Sequence, residues 1–104
     1  MDHASYQKEI EAKGLTAPRI TPEKIDATIR EEYFHVVPGS CLTLCVLTLQ
    51  NGFTVTGESA CASPENFNEE LGRKISRDRA KEKIWALEGY ALRTLLSMQA
   101  QHAA

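Results

Sequence analysis

The chain has 104 residues, of which 42% are hydrophobic and 25% charged, and its formal net charge is -2. That length makes one domain and leaves no room for separate cofactor and substrate halves. No apolar run reaches the roughly 18 residues of a membrane span, and the opening MDHASYQKEIEAKG lacks the apolar core of a secretory signal. Twelve Lys and Arg face fourteen Asp and Glu, which argues against duplex DNA as a partner, since phosphates need a basic excess.

Residues 1–20 read as a polar N-terminal arm or short fraying helix, with Gly14 and Pro18 as breakers. Residues 21–104 form the domain proper. Thr21-Pro22-Glu23 is a helix start: Thr as cap, Pro in the first turn, Glu at the positive end. Ile25, Thr28 and Ile29 then give a narrow apolar face, predicting a helix to about Glu32. Tyr33 to Val37 reads as a short strand closed by Pro38-Gly39, and Leu42 to Leu49 as a second strand.

Asn51-Gly52 predicts a two-residue type I′ hairpin turn with a return strand from Phe53 to Ala60. That turn sets Leu49 opposite Thr54, Leu47 opposite Thr56 and Cys45 opposite Glu58. On the other face it sets Val46 opposite Gly57, Thr48 opposite Val55 and Leu44 opposite Ser59. The face with Leu42, Leu44, Val46, Phe53 and Val55 is the expected core, leaving Leu47 and Leu49 half-buried or against a partner. Ser63 is expected to cap a short turn and Asn68 a long helix to about Gln99. Its apolar stripe runs through Leu71, Ile75, Ile84, Leu87, Ala91, Leu95 and Met98, widened by Trp85, Leu92 and Leu96. About 45 Å of helix exceeds the diameter of such a domain. A kink at Gly89 or projection into a neighbouring subunit is therefore expected, and with it a homo-oligomer. The architecture is α+β: an N-terminal helix, a small antiparallel hairpin or three-stranded meander, and a long C-terminal helix on one sheet face.

Three stretches carry a family likeness: APRITP at residues 17–22, NGFTVTGESAC at residues 51–61 and IWALEGY at residues 84–90. Over residues 15–100 the chain resembles a family of small tailed-bacteriophage proteins named after gene forty-nine of phage N-four and gene sixty-six of phage Sf-six. The resemblance implies a phage or prophage origin and action in the host bacterial cytoplasm. It transfers no catalytic motif.

The residues themselves point away from catalysis. There is no phosphate-binding Gly loop or dinucleotide fingerprint, and Gly57-Glu58-Ser59 lacks the second Gly of a nucleophile elbow. No metal or cofactor is expected: Cys41 and Cys45 lie about 13 Å apart along one strand, too far to share a zinc with His35 and Cys61. Binding is the stronger reading. Gly57 within a strand admits a close backbone approach, by a ligand or by Trp85. Glu58 suits a base edge or simply solvent, and Ser59 a ribose or phosphate. Arg73, Arg77 and Lys81 make one helical stripe able to hold phosphates, or a solvated face balanced by Asp78 and Glu82. Tyr33 or Phe34 can stack a base, whereas Trp85 and Tyr90 suit a core. Together these predict a non-catalytic phage accessory protein that sequesters a cyclic or modified nucleotide as a counter-defence sponge. The alternatives are an inhibitor binding a host enzyme through the Leu47/Leu49 face or a sheet edge, and a structural virion component.

Overall fold

A computed structural model describes residues 3–103. The elements run α1 (His3–Ala12), α2 (Pro22–Thr28), β1 (Ile29–Val36), β2 (Leu42–Leu49), β3 (Thr54–Ala60), a 3-10 turn (Pro64–Asn66) and α3 (Glu69–Ala103). The three strands form an antiparallel meander in the order β1-β2-β3, and α3 lies across β2 and β3. This is the expected α+β architecture.

Local chemistry sets the element ends. Thr21 Oγ1 accepts the Lys24 amide at 3.2 Å, and Asn68 Oδ1 accepts the Leu71 amide at 2.9 Å, so both expected caps form. Ser63 makes no such side-chain bond, and its segment closes only a 3-10 turn. The second helix stops at Thr28 rather than Glu32. Pairing with β2 wins Ile29 to Glu32 for the sheet, with an irregularity between Ile29 and Glu31. The Gln50 amide then bonds the last helical carbonyl, Thr28, at 2.9 Å.

The hairpin differs from expectation in a way that changes the core. The Gly52 amide bonds the Leu49 carbonyl at 2.9 Å, and the Leu49 amide bonds the Phe53 carbonyl at 2.8 Å. Only Gly52 has positive φ, at 88°, so the loop is three residues with one left-handed position, not a type I′ pair. Asn51 stays at negative φ, and its Oδ1 accepts the Phe53 amide at 3.0 Å. The register becomes Leu47 opposite Val55, Cys45 opposite Gly57, Leu44 opposite Glu58 and Thr43 opposite Ser59.

A slip of one residue exchanges faces. Thr43, Cys45, Leu47 and Leu49 therefore face α3, and with Val55, Ile25, Ala80 and Ile84 they make the buried core. Leu42, Leu44 and Val46, the expected core face, are only half-buried on the opposite side. Among the described residues no element packs on that side. The alternative docking face at Leu47 and Leu49 is thus interior.

Four small or compact residues at four-residue spacing, Gly72, Ser76, Ala80 and Ile84, are the buried line of α3. Gly57 makes this seat possible. A Cβ there would lie under 3.0 Å from the Ser76 carbonyl oxygen and the Ala80 amide nitrogen. The glycine admits the backbone of α3, not the ring of Trp85. Trp85 instead stacks on His3 of α1, ring centroids 4.2 Å apart, while His3 Nε2 meets Glu82 at 2.8 Å. The N-terminal segment is therefore partly docked.

α3 continues unbroken through Gly89, giving the molecule extents of 59 × 32 × 18 Å. None of its described residues beyond Ile84 is buried.

Candidate functional site

The sheet distributes the sequence-predicted site residues over two faces. Tyr33 pairs with Val46 and Glu58 with Leu44, placing both on the uncovered face. Tyr33 is 61% exposed and runs nearly parallel to the His35 ring at 6.5 Å. Phe34 lies on the other face, half-buried against the core, away from Tyr33 and Glu58. Ser59 faces α3 and is half-buried.

The basic stripe is neutralised along its length. Arg73 pairs with Glu69 at 2.9 Å, Arg77 with Glu32 of β1 and Lys81 with Asp26 of α2 at 2.7 Å. The hydrogen bond to Glu32 is the largest cause holding the Arg77 guanidinium above its ordinary pKa. The last two contacts tie α3 to β1 and α2. Partly exposed ion pairs of this kind contribute about 0–1 kcal/mol each, so their main effect is to occupy the cations.

The other flank of α3 is different. β3 is the last strand of the sheet, so one of its edges is free. The Phe53 carbonyl accepts the Leu49 amide and so points inward, and the alternation of an antiparallel ladder then turns the backbone groups of Thr56, Glu58 and Ala60 outward. Arg79 Nη1 donates to the outward Glu58 carbonyl at 2.7 Å. Beside it opens a cleft of about 450 Å³ lined by Leu42, Gly57, Glu58, Ser59, Ala60, Arg79 and Lys83. Neither Arg79 nor Lys83 has a carboxylate partner among the described residues.

The cleft thus joins two cations without ion pairs among the described residues, the Ser59 hydroxyl and outward amides, a set of donors suited to phosphate. Glu58 supplies an acceptor at the rim. Sequence reasoning placed Glu58 and Ser59 here and missed Arg79 and Lys83. Their signal was present: they lie four residues apart, on the side of α3 away from Arg77 and Lys81.

The cysteines are distributed by the strands. Cys45 lies under α3, and burial is the first cause pushing its thiol up to about 11. Cys41 and Cys61 flank the Leu42–Ala60 pair, and their mutual hydrogen bond pushes the Cys41 thiol upward. Among the described residues no group of three or more His, Cys, Asp and Glu is placed to hold a metal ion. Nor is any helix there long and apolar enough to cross a membrane.

Comparison with curated proteins and with solved structures gives no match. Residues 20–96, spanning α2, the whole meander and most of α3, match one family. The matched region contains every lining residue of the cleft, and the chain belongs to the Phage protein (N4 Gp49/phage Sf6 gene 66) family.

Proposed function

We propose that this phage protein acts without catalysis, by binding and sequestering a cyclic or modified nucleotide signal in the cleft along β3. One observation carries the reading: Arg79 and Lys83 stand over the free edge of β3, beside Ser59, and neither is ion-paired among the described residues. Phosphates lie on the α3 side, against both cations and the Ser59 hydroxyl. A base amino group donates to Glu58 at the rim. In this reading Arg77 and Lys81 hold the helix in place, and Arg73 serves Glu69 of its own helix, rather than the ligand.

Titration calorimetry of the purified chain with a cyclic dinucleotide, and separately with inorganic phosphate, tests this. The expected result is saturable nucleotide binding that weakens as salt rises. Changing Arg79 and Lys83 together to Ala weakens it at least about tenfold, one charge-assisted hydrogen bond being worth about 1.5–3 kcal/mol. Arg77→Ala leaves it within about twofold, because Arg77 already serves Glu32. Binding that survives the double change overturns the site. Failure of both the dinucleotide and nucleotides released by denaturing protein from infected cells overturns the sequestration reading.

A further inference from the structure

Two apolar surfaces lack cover among the described residues, and they fit each other. One is the sheet face opposite α3. Leu42, Leu44 and Val46 run down its centre, half-buried, between Tyr33 and His35 of β1 and Thr54, Thr56 and Glu58 of β3. The other is the overhang of α3. Leu95 and Met98 are 51% and 52% exposed, and with Ala91, Leu92 and Leu96 they form a stripe at three- and four-residue spacing.

The overhang leaves the sheet in a defined direction. Gly72 lies at Thr43, Ser76 and Ala80 lie at Gly57, and Leu87 shares a groove with Phe53 at the hairpin end. α3 therefore runs antiparallel to β3, and residues 88–103 continue past the hairpin in line with the strands. They span about 24 Å at 1.5 Å per residue. The strands, of 7 and 8 residues, span about 23–26 Å at 3.3 Å each. The exposed helix is as long as the exposed sheet.

We propose that a second copy of this chain covers both surfaces by reciprocal exchange. The two sheets meet hairpin end to hairpin end, one inverted, about a two-fold axis through the junction. Each overhang then crosses the open face of the other subunit. Every sheet lies between its own α3 and its partner's overhang, a three-layer arrangement that leaves neither apolar surface in water. The contact is isologous and closes at two subunits.

Magnitude favours exchange over a simple pairing of overhangs. Each helix-on-sheet contact covers about 24 Å by about 10 Å. Counted on both surfaces and for both contacts, that is about 1,000 Å², the threshold of a specific interface. A helix pair alone buries less and leaves both sheet faces exposed. The stripe from Ala91 round to Leu96 is also wider than the two-position seam of a helix pair.

Sedimentation of the full chain and of two variants, Leu95→Glu on the overhang and Val46→Glu on the sheet, tests the exchange. Neither side chain is in the buried core, so circular dichroism should show both variants folded. The parent is expected at twice its 11.6 kDa mass, and each variant alone as monomer. Mixing the variants restores partial dimerisation, because the good overhang of one meets the good sheet of the other. A parent that is monomeric at 100 μM, a dimer that tolerates Val46→Glu, or a mixture that stays monomeric overturns the proposal.

Discussion

Replacing Gly57 with Ala tests the central packing contact of the fold. The added Cβ falls under 3.0 Å from the Ser76 carbonyl oxygen and the Ala80 amide nitrogen, and 3.0 Å from the Arg79 carbonyl carbon. All three are backbone atoms inside a continuous helix, so none can rotate aside. Ordinary contact requires about 3.5–4.0 Å, so α3 must rise from β3 by roughly 1 Å. A gap of 0.5–1 Å forfeits about a quarter to a half of each contact energy across it. Ala80 and Ile84, both fully buried on this line, would lose part of their seat against Cys45, Leu47 and Val55. Overpacking alone costs about 1–3 kcal/mol, and with this loosening we expect about 3 kcal/mol. For a domain of this size that lowers the melting midpoint by about 12–24 °C at 4–8 °C per kcal/mol. Urea unfolding followed by far-UV circular dichroism measures it. A loss under about 0.5 kcal/mol would refute the close approach of α3 to β3.

Two further changes probe buried polar groups. Thr43 Oγ1 is buried with no hydrogen-bond partner among the described residues, pressed against Gly72. Thr43→Val keeps its shape and removes an unpaired hydroxyl, so stability should rise by about 1 kcal/mol. It would appear as a higher urea midpoint at unchanged slope, and a clear loss would reveal a partner for the hydroxyl. Cys45 offers a pH test: its thiol titrates at about 11, above the ordinary 9.0. The folded chain then keeps a proton that the unfolded chain releases, so this stability is complete below pH 9 and is lost as pH rises towards 11. Stability measured from pH 8 to 11 should fall more steeply in the parent than in Cys45→Ala. Equal slopes would count against burial of that thiol.

Much of the fold was legible because local chemistry and periodicity agreed. Thr21 and Asn68 announced their helices, and Leu42 to Leu49 its strand. The hairpin was not, because Asn-Gly serves two turns. Two left-handed residues give one register, and a single left-handed Gly52 with Asn51 bonded to Phe53 gives the other. One residue of slip then inverted the core, exposing Leu44 and Val46 and burying Leu47 and Leu49. A tertiary signal could have decided between them. Gly57 in a strand and Gly72, Ser76 and Ala80 at helical spacing are complementary small surfaces, and only the observed register turns Gly57 towards α3. Ile29 to Glu32 escaped for a related reason: Arg and Glu favour helix locally, while pairing with Leu47 to Leu49 overrides them.

The candidate site follows from the same seat. Across α3 the charges are asymmetric: Arg77 and Lys81 pair with Glu32 and Asp26 on the β1 side, whereas Arg79 and Lys83 open onto the β3 edge with no ion pair among the described residues. In a chain of net charge -2, free cations along a strand edge have two physical uses. They can discourage edge-to-edge pairing, as charged side chains on edges do, or they can bind an anion. Arg79 serves the first by donating to the Glu58 carbonyl, whereas Lys83 makes no hydrogen bond among the described residues and keeps its ammonium available to an anion. Because Gly57 brings α3 against the strand, both cations also converge with Ser59 on one cleft. Fold and site are therefore coupled at residue 57 and separable at residue 83. Gly57→Ala should lose stability and binding together, while Lys83→Ala should lose binding alone.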